Sequence, residues 1–199
     1  MPSDAPAPAS RARVVILVLD AIAREREIAS GAFCDAMEAM VEIIGCMGPA
    51  LSPAKSDVRG NVDRVRRAMT AREDGLFDVV RRAQAEKEGT GATSTTKGAL
   101  WLKRFGEFVC ALCRELGSTK ESMRTCASTA YERTLRQYHG YLTRGVFSAV
   151  LMFPPSRESF VANVGSPTDM LELADKFEPI LLAVDEFLTA EGLNDPTPV

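Results

Sequence analysis

Histidine and tryptophan are scarce in this 199-residue chain, which contains one of each. A single histidine argues against a multi-histidine metal site, and a net charge of -3 argues against a nucleic-acid-binding platform. Long apolar runs are missing as well: the longest near the N-terminus, residues 14–19, is far too short to span a bilayer. No small-residue cleavage site follows it. We therefore expect a cytosolic protein without a cofactor or a nucleic-acid partner.

The five cysteines are odd in number and irregularly spaced, which argues against a disulfide framework. Cys110 and Cys113 form a C-x-x-C motif, but the surrounding EFVCALCREL has helical periodicity. It lacks the strand-to-helix context of a redox motif. Reduced thiols are the interpretation that fits this pattern.

Apolar residues recur at spacings of three and four along nearly the whole chain, and no stretch alternates convincingly with period two. This pattern predicts an all-α protein of about eight helices in one domain. Because Pro, Ala and Ser dominate the first ten residues, we predict a disordered tail over residues 1–12 and a flexible end over 193–199. The domain then spans residues 13–192.

Serine residues mark three predicted helix starts, either before a proline or three residues before an acidic side chain. The three are Ser52 before Pro53, Ser118 with Glu121, and Ser166 before Pro167 with Asp169.

The segment SDVRGNVDRV places Asp57, Asn61 and Arg64 on one face of a predicted helix. Gly60 lies inside that helix, where glycine costs about 1 kcal/mol relative to alanine. Two explanations remain open: another helix packs closely against Gly60, or something else approaches the backbone there.

Two further segments contain the single tryptophan and the single histidine. GALWLKRFGEFVCAL is an amphipathic helix in which Arg104 lies one turn from Trp101. Residues 130–150 are predicted to continue one very long helix, on which Tyr131, His139 and Phe147 share a largely apolar face. A lone histidine there is also compatible with an ordinary core position.

Taken in order, the D-x-x-x-N-x-x-R pattern from Asp57, the WLKR from Trp101 and the A-Y-x-x-x-L-x-x-Y-H-G that includes His139 resemble the glycolipid transfer protein family. The resemblance covers nearly the whole chain from about residue 30. It implies a two-layer, all-α sandwich of eight helices around a hydrophobic tunnel. Such a protein is a non-enzymatic carrier that holds one lipid, with the sugar at the surface and the chains inside.

The resemblance also implies roles for individual residues. Asp57, Asn61 and Arg64 would bond the first sugar and the ceramide amide, with Arg64 replacing the family's lysine and changing its geometry. Trp101 would carry the sugar on its face, with Arg104 beside it, and His139 would bond the amide carbonyl. Candidates for the tunnel are Phe33, Phe108, Leu135, Phe147 and Phe160, each also compatible with ordinary core. Tyr141, two residues after the histidine, is the candidate for membrane contact.

A second branch of the family carries ceramide phosphate and has Lys at the position of Asn61 and Arg at those of Trp101 and Phe105. This chain therefore resembles the glycosphingolipid branch, although Arg64, Lys103 and Arg104 leave the phosphate alternative open.

The expected protein is a monomer that touches membranes transiently. Two alternatives remain: a lipid-sensing interaction module, and a lipid hydrolase with Asp57 and His139 as an acid–base pair. The hydrolase is disfavoured because the chain lacks a G-x-S-x-G motif and a recognisable Cys–His pairing.

Overall fold

The computed structural model describes residues 9–22, 27–86, 91 and 94–198. The regular secondary structure of this part of the chain is helical, apart from one isolated bridge between Ala29 and Gly75, and turns and irregular segments join the helices. Its helices are α1 Arg11–Ile22, α2 Ser30–Gly45, α3 Ser52–Ala68, α4 Leu76–Ala85, α5 Thr95–Ser118, α6 Met123–Arg133, α7 Tyr141–Val150, α8 Arg157–Val164 and α9 Pro167–Ala190, with 3-10 turns at Pro49–Leu51 and Leu135–Tyr138.

The all-α prediction is confirmed, with nine α-helices in the described ranges instead of about eight. Five of them close a ring, because α1 packs on α2, α2 on α3, α3 on α5, α5 on α9 and α9 on α1. Helix α6 covers α5 from outside this ring. Within the described ranges, no helix is both long and apolar enough to cross a bilayer.

Two glycines set the distance between α5 and α9, the two longest helices. A Cβ added at Gly106 would lie 2.8 Å from side-chain carbons of both Phe177 and Leu181. One added at Gly117, three turns further along α5, would lie 2.5 Å from Leu171 Cγ. Glycine therefore allows this close approach, because a larger residue at either position would force the facing side chains or the helices to move.

One predicted helix start is confirmed and two are displaced. Ser166 accepts from the Asp169 N–H and Asp169 accepts from the Ser166 N–H, which completes the capping box of α9. At Ser118 the prediction is wrong, since α5 runs through this residue and Ser122 caps α6 instead. Ser52 is a first helical residue and not a cap, because the preceding 3-10 turn runs directly into α3 and Ser52 Oγ donates to the Pro49 carbonyl.

The long helix predicted over residues 130–150 is broken. Helix α6 ends at Arg133, a 3-10 turn follows, and α7 begins after Gly140. The break allows the rings of Tyr131 and Phe147 to stack with centroids 3.9 Å apart. In a continuous helix their Cα atoms would be about 24 Å apart.

The N-terminal boundary is also displaced. Helix α1 begins at Arg11, so the last two residues of the predicted 1–12 tail are helical. Residues 1–8 of that tail lie outside the described residues.

The C-terminal segment, predicted to be flexible over 193–199, is held against the domain in its described part. Leu193 packs on the core, Lys97 donates to the Asp195 carboxylate, and Arg104 donates to the Asp195 carbonyl. The bond from Lys97 lowers the pKa of Asp195. Residue 199 lies outside the described residues.

All five cysteines are free thiols. Burial raises the pKa of Cys110 well above its usual value and that of Cys113 to about 12. Among the described residues, no group of three or more His, Cys, Asp or Glu side chains could hold a metal ion. The C-x-x-C motif therefore behaves as core.

We expect Gly106→Ala to destabilise the protein by about 1–3 kcal/mol, because the added methyl overpacks the α5–α9 interface. The free energy of unfolding in urea measures this loss. Gly145→Ala is the matched control, since a Cβ at that helical glycine meets nothing within 4 Å. Equal stability of Gly106→Ala and the wild type would contradict the close approach of the two helices.

Candidate functional site

Three polar side chains form a connected row along α3. Asn61, only 2% exposed, donates from Nδ2 to the backbone carbonyl of Asp57 at 3.0 Å and to Asp57 Oδ2 at 3.2 Å. Arg64 donates to Asn61 Oδ1 at 2.7 Å. The structure therefore brings the three predicted residues together on one face, as their spacing indicated.

Asp57 is exposed, yet its pKa is raised because desolvation outweighs the opposing effects of Arg64 and Asn61. A partly desolvated carboxylate that has a single side-chain hydrogen-bond donor among the described residues is well suited to accept a further hydrogen bond.

On α5, Trp101 is half-buried and lies beside a buried arginine. The Arg104 guanidinium carbon is 4.9 Å from the Trp101 ring centroid and 3.5 Å from that of Tyr138. Arg104 is only 1% exposed, and desolvation lowers its pKa. Its Nε has no hydrogen-bond partner among the described residues, and one terminal nitrogen donates to the Asp195 carbonyl.

Lys103, the neighbouring cation, binds carboxylates of the protein. Its Nζ donates to Asp185 and forms an ion pair with Glu107 at 3.0 Å. The side chain is 3% exposed, and despite desolvation these two partners raise its pKa. Its charge is therefore compensated within the α5–α9 interface.

His139 lies in the break between α6 and α7 and stacks near Trp101, with ring centroids 5.9 Å apart and planes at 22°. Its Nδ1 shares a 3.0 Å hydrogen bond with Tyr131 Oη. When Tyr131 donates, the ring proton resides on Nε2. Desolvation, with smaller effects from Arg144 and Arg104, lowers the pKa of His139, so the imidazole is neutral near pH 7.

Helix α3, which carries Asp57, Asn61 and Arg64, lies closest to α5 at Gly98. This glycine is one turn before Trp101. A Cβ at Gly98 would be 3.1 Å from the Asn61 carbonyl oxygen and 3.2 Å from Arg64 Cβ. Only glycine permits this separation between α3 and α5. The site is thus one region built from α3, α5 and the α6–α7 break.

An aromatic stack continues from the site into the protein. Tyr131 stacks on Phe147, and Phe147 meets Phe108 edge to face at 5.7 Å. Of the other tunnel candidates, Phe33 lies 6.4 Å from Phe177, and Leu135 and Phe160 are buried in the core. All five are thus buried or half-buried, while the tunnel itself stays a prediction.

Helix α7 presents an apolar surface that nothing in the described chain covers. It has no buried residue, and Tyr141, the candidate for membrane contact, is 90% exposed. Arg144 of the same helix donates from Nε to the His139 carbonyl at 2.7 Å, which ties this surface to the site. The α7 patch is defined here as the exposed apolar residues of α7 and of the turn after it: Tyr141, Leu142, Val146, Met152 and Phe153.

Several residues that build the candidate site were not predicted from the sequence. Gly98 gave no signal beyond being a helical glycine, and Arg144 and Asp195 gave none. Tyr131 and Tyr138 belong to the motif that led to His139, but their contacts with His139 and Arg104 follow only from the break between α6 and α7.

Comparison with known proteins identifies related chains. A family model, Glycolipid transfer protein (GLTP), matches residues 28–166. Glycolipid transfer protein 1 of Arabidopsis thaliana is 28% identical over 177 residues, which cover 85% of this chain and 88% of that protein.

Two solved structures share the fold. FAPP2, described as selecting simple glycosphingolipids with the GLTP fold, matches with a TM-score of 0.86 at 25% identity, over 96% of this chain and 100% of that one. The Arabidopsis accelerated-cell-death 11 protein complexed with ceramide-1-phosphate also gives 0.86, at 17% identity over 95% of this chain and 100% of that one. Fold similarity alone therefore does not choose between a sugar and a phosphate.

The lowered pKa of His139 predicts a pH-dependent stability. As the pH falls below 6.5, the unfolded chain takes up its proton before the folded one does. The stability from the neutral imidazole is therefore complete above that pH and is lost as the pH falls towards the lower folded pKa. Between about pH 7.5 and about pH 5.5, we expect the wild type to lose unfolding free energy relative to His139→Phe, measured in urea by Trp101 fluorescence. A difference that stays constant over this range would contradict the assignment.

Proposed function

This chain belongs to the glycolipid transfer protein family, and we propose that it carries one simple glycosphingolipid between membranes. The observation that supports this most directly is the contact between the Trp101 indole and the neutral His139 imidazole, with the Asp57 row joined to Trp101's helix through Gly98. The carrier acts as a monomer and touches membranes transiently. All five cysteines are free thiols, which fits a reducing compartment such as the cytosol.

The chemistry of a glycosylceramide matches these groups. A ceramide amide offers one donor and one acceptor, so the Asp57 carboxylate accepts from its N–H while His139 Nε2 donates to its C=O. A hexose offers hydroxyls and an apolar C–H face, which suit Asn61 and Arg64 on one side and the Trp101 ring on the other. Arg104 holds Trp101 from beside the ring.

Selectivity comes from this polar region and not from the lipid chains. Transferring about 25 methylenes from water into protein is worth roughly 20 kcal/mol, but the donor bilayer supplies nearly the same environment. A ligand without the matching polar groups leaves buried donors and acceptors unpaired, at about 1–3 kcal/mol each. The aromatic stack from Tyr131 to Phe108 is the proposed entrance for the chains.

The charges of the site favour a sugar over a phosphate. Three cations left the phosphate alternative open, and each already has a partner in the protein. Lys103 binds Asp185 and Glu107, Arg104 stacks between two rings and donates to a carbonyl, and Arg64 donates to Asn61. A phosphate would have to compete with these contacts and lie near the Asp57 carboxylate.

We propose no catalytic role for this site. Asp57 is hydrogen-bonded to Asn61, and His139 to Tyr131, and in the proposed function both act only as hydrogen-bonding groups for the lipid. We propose that the transfer domain includes all of α1 from Arg11, as well as the C-terminal segment that Lys97 and Arg104 hold.

We expect Asp57→Val and Trp101→Ala each to reduce transfer of fluorescent glucosylceramide between vesicles by at least about tenfold, the consequence of losing about 1.4 kcal/mol of head-group binding. Asp63→Val, on an exposed position of the same helix, is the matched control for the carboxylate and should transfer normally. Unchanged transfer in both site variants would remove the assigned site. Tight binding with negligible transfer by the wild type would favour a lipid sensor.

The α7 patch is the proposed membrane contact, because it is apolar, exposed and adjacent to His139. We expect Leu142→Ala to weaken vesicle binding and slow transfer several-fold, while leaving the affinity for a short-chain glycolipid in solution unchanged. Leu17→Ala, at an exposed leucine of α1, is the matched control. If both leucine variants behaved alike, α7 would have no special role in docking.

A further inference from the structure

Gly60 is a helical glycine that the packing of the protein does not require. A Cβ added there would have no atom of the described residues within 4 Å, whereas one added at Gly98 or Gly106 would meet atoms at 3.1 Å or closer. Gly60 is not among the glycines with positive φ, so its backbone accepts any L-residue. Glycine at this position costs about 1 kcal/mol of helix stability relative to alanine, without a compensating contact in the described chain.

The empty space beside Gly60 adjoins the candidate site. Gly60 lies three residues after Asp57 and four before Arg64, so the three positions share one face of α3. Asn61, the next residue, has a buried side chain that bonds Asp57 and Arg64, and its carbonyl lies close to Gly98. Gly60 thus lies between two charged residues of the candidate site, Asp57 about one turn before it and Arg64 about one turn after it.

We propose that Gly60 forms a notch that receives the hydroxyl edge of the head-group sugar against the α3 backbone, which makes Gly60 a specificity-determining residue. The inference rests on the proposed function, since it takes the ligand to be a glycosylated ceramide. Absence of a side chain lets a ring edge approach the helix more closely than any other residue permits. The helix stability lost at Gly60 is then offset only when the ligand is bound.

The chemistry bordering the notch fits a sugar edge. Hydroxyl groups both donate and accept, so they can bond the Asp57 carboxylate as donors and the Arg64 guanidinium as acceptors. A phosphate in the same space would meet the negative charge of Asp57. The notch therefore discriminates by shape and by charge, and it acts on the sugar and not on the ceramide amide.

The test compares Gly60→Ala with Gly145→Ala, which adds the same methyl to an open helical position of α7. Both should raise the melting temperature slightly, because alanine favours a helix and neither methyl meets a neighbour. Binding of short-chain glucosylceramide and short-chain ceramide is followed by the fluorescence of Trp101, the single tryptophan. We expect Gly60→Ala to weaken glucosylceramide binding by at least about tenfold and to leave ceramide binding unchanged. Gly145→Ala should change neither affinity.

Three results would overturn the notch while leaving the carrier function intact: equal glucosylceramide affinity in Gly60→Ala and the wild type, an equal loss for ceramide and glucosylceramide, or a lowered melting temperature of Gly60→Ala. The last result would show that the fold itself needs the glycine. If the wild type bound no glucosylceramide, the proposed function and the notch would both fall.

Discussion

The contact between Trp101 and His139 depends on the interruption of the chain after Arg133. Helix α6 supplies Tyr131, which bonds the imidazole, and α7 supplies Arg144, which bonds the carbonyl of the same histidine. His139 is therefore fixed through its ring by one helix and through its backbone by the next. The same short segment leads directly into α7, so the residue proposed to bind the lipid amide and the surface proposed to meet a bilayer are neighbours along the chain.

Glycine has two opposite uses in this fold. At Gly98, Gly106 and Gly117 it lets neighbouring helices approach, and a single methyl at any of them would meet backbone or side-chain atoms at 3.1 Å or less. At Gly60 no atom of the described residues lies within 4 Å of an added Cβ. The first three glycines therefore allow helices to pack closely, whereas Gly60 leaves open the space in which we propose the notch.

Local patterns were enough to predict the helical class, the capping box of α9 and the row on α3, because each depends on residues within one or two turns of one another. The break before α7 escaped prediction because Tyr131, Leu135 and His139 keep a helical spacing. Gly140 at the break is a weak local signal, and the stacking of Tyr131 on Phe147 is a tertiary contact that the spacing does not reveal. The C-terminal segment escaped for a related reason. Its polar, proline-containing sequence is typical of a flexible end, but two cations on α5 hold it in place.

The positions of the buried cations bear on whether the site favours a sugar or a phosphate. A cation that already has a partner in the protein offers little to an anionic ligand, because binding would exchange one set of contacts for another. Lys103 and Arg104 are both almost fully buried, and the C-terminal segment supplies one of the groups that occupy Arg104. In the proposed function, the segment therefore favours a neutral head group indirectly, since the Asp195 carbonyl accepts a hydrogen bond from the arginine beside Trp101. What remains for the ligand is a carboxylate, a neutral imidazole and an aromatic face, a combination that suits an amide and a sugar.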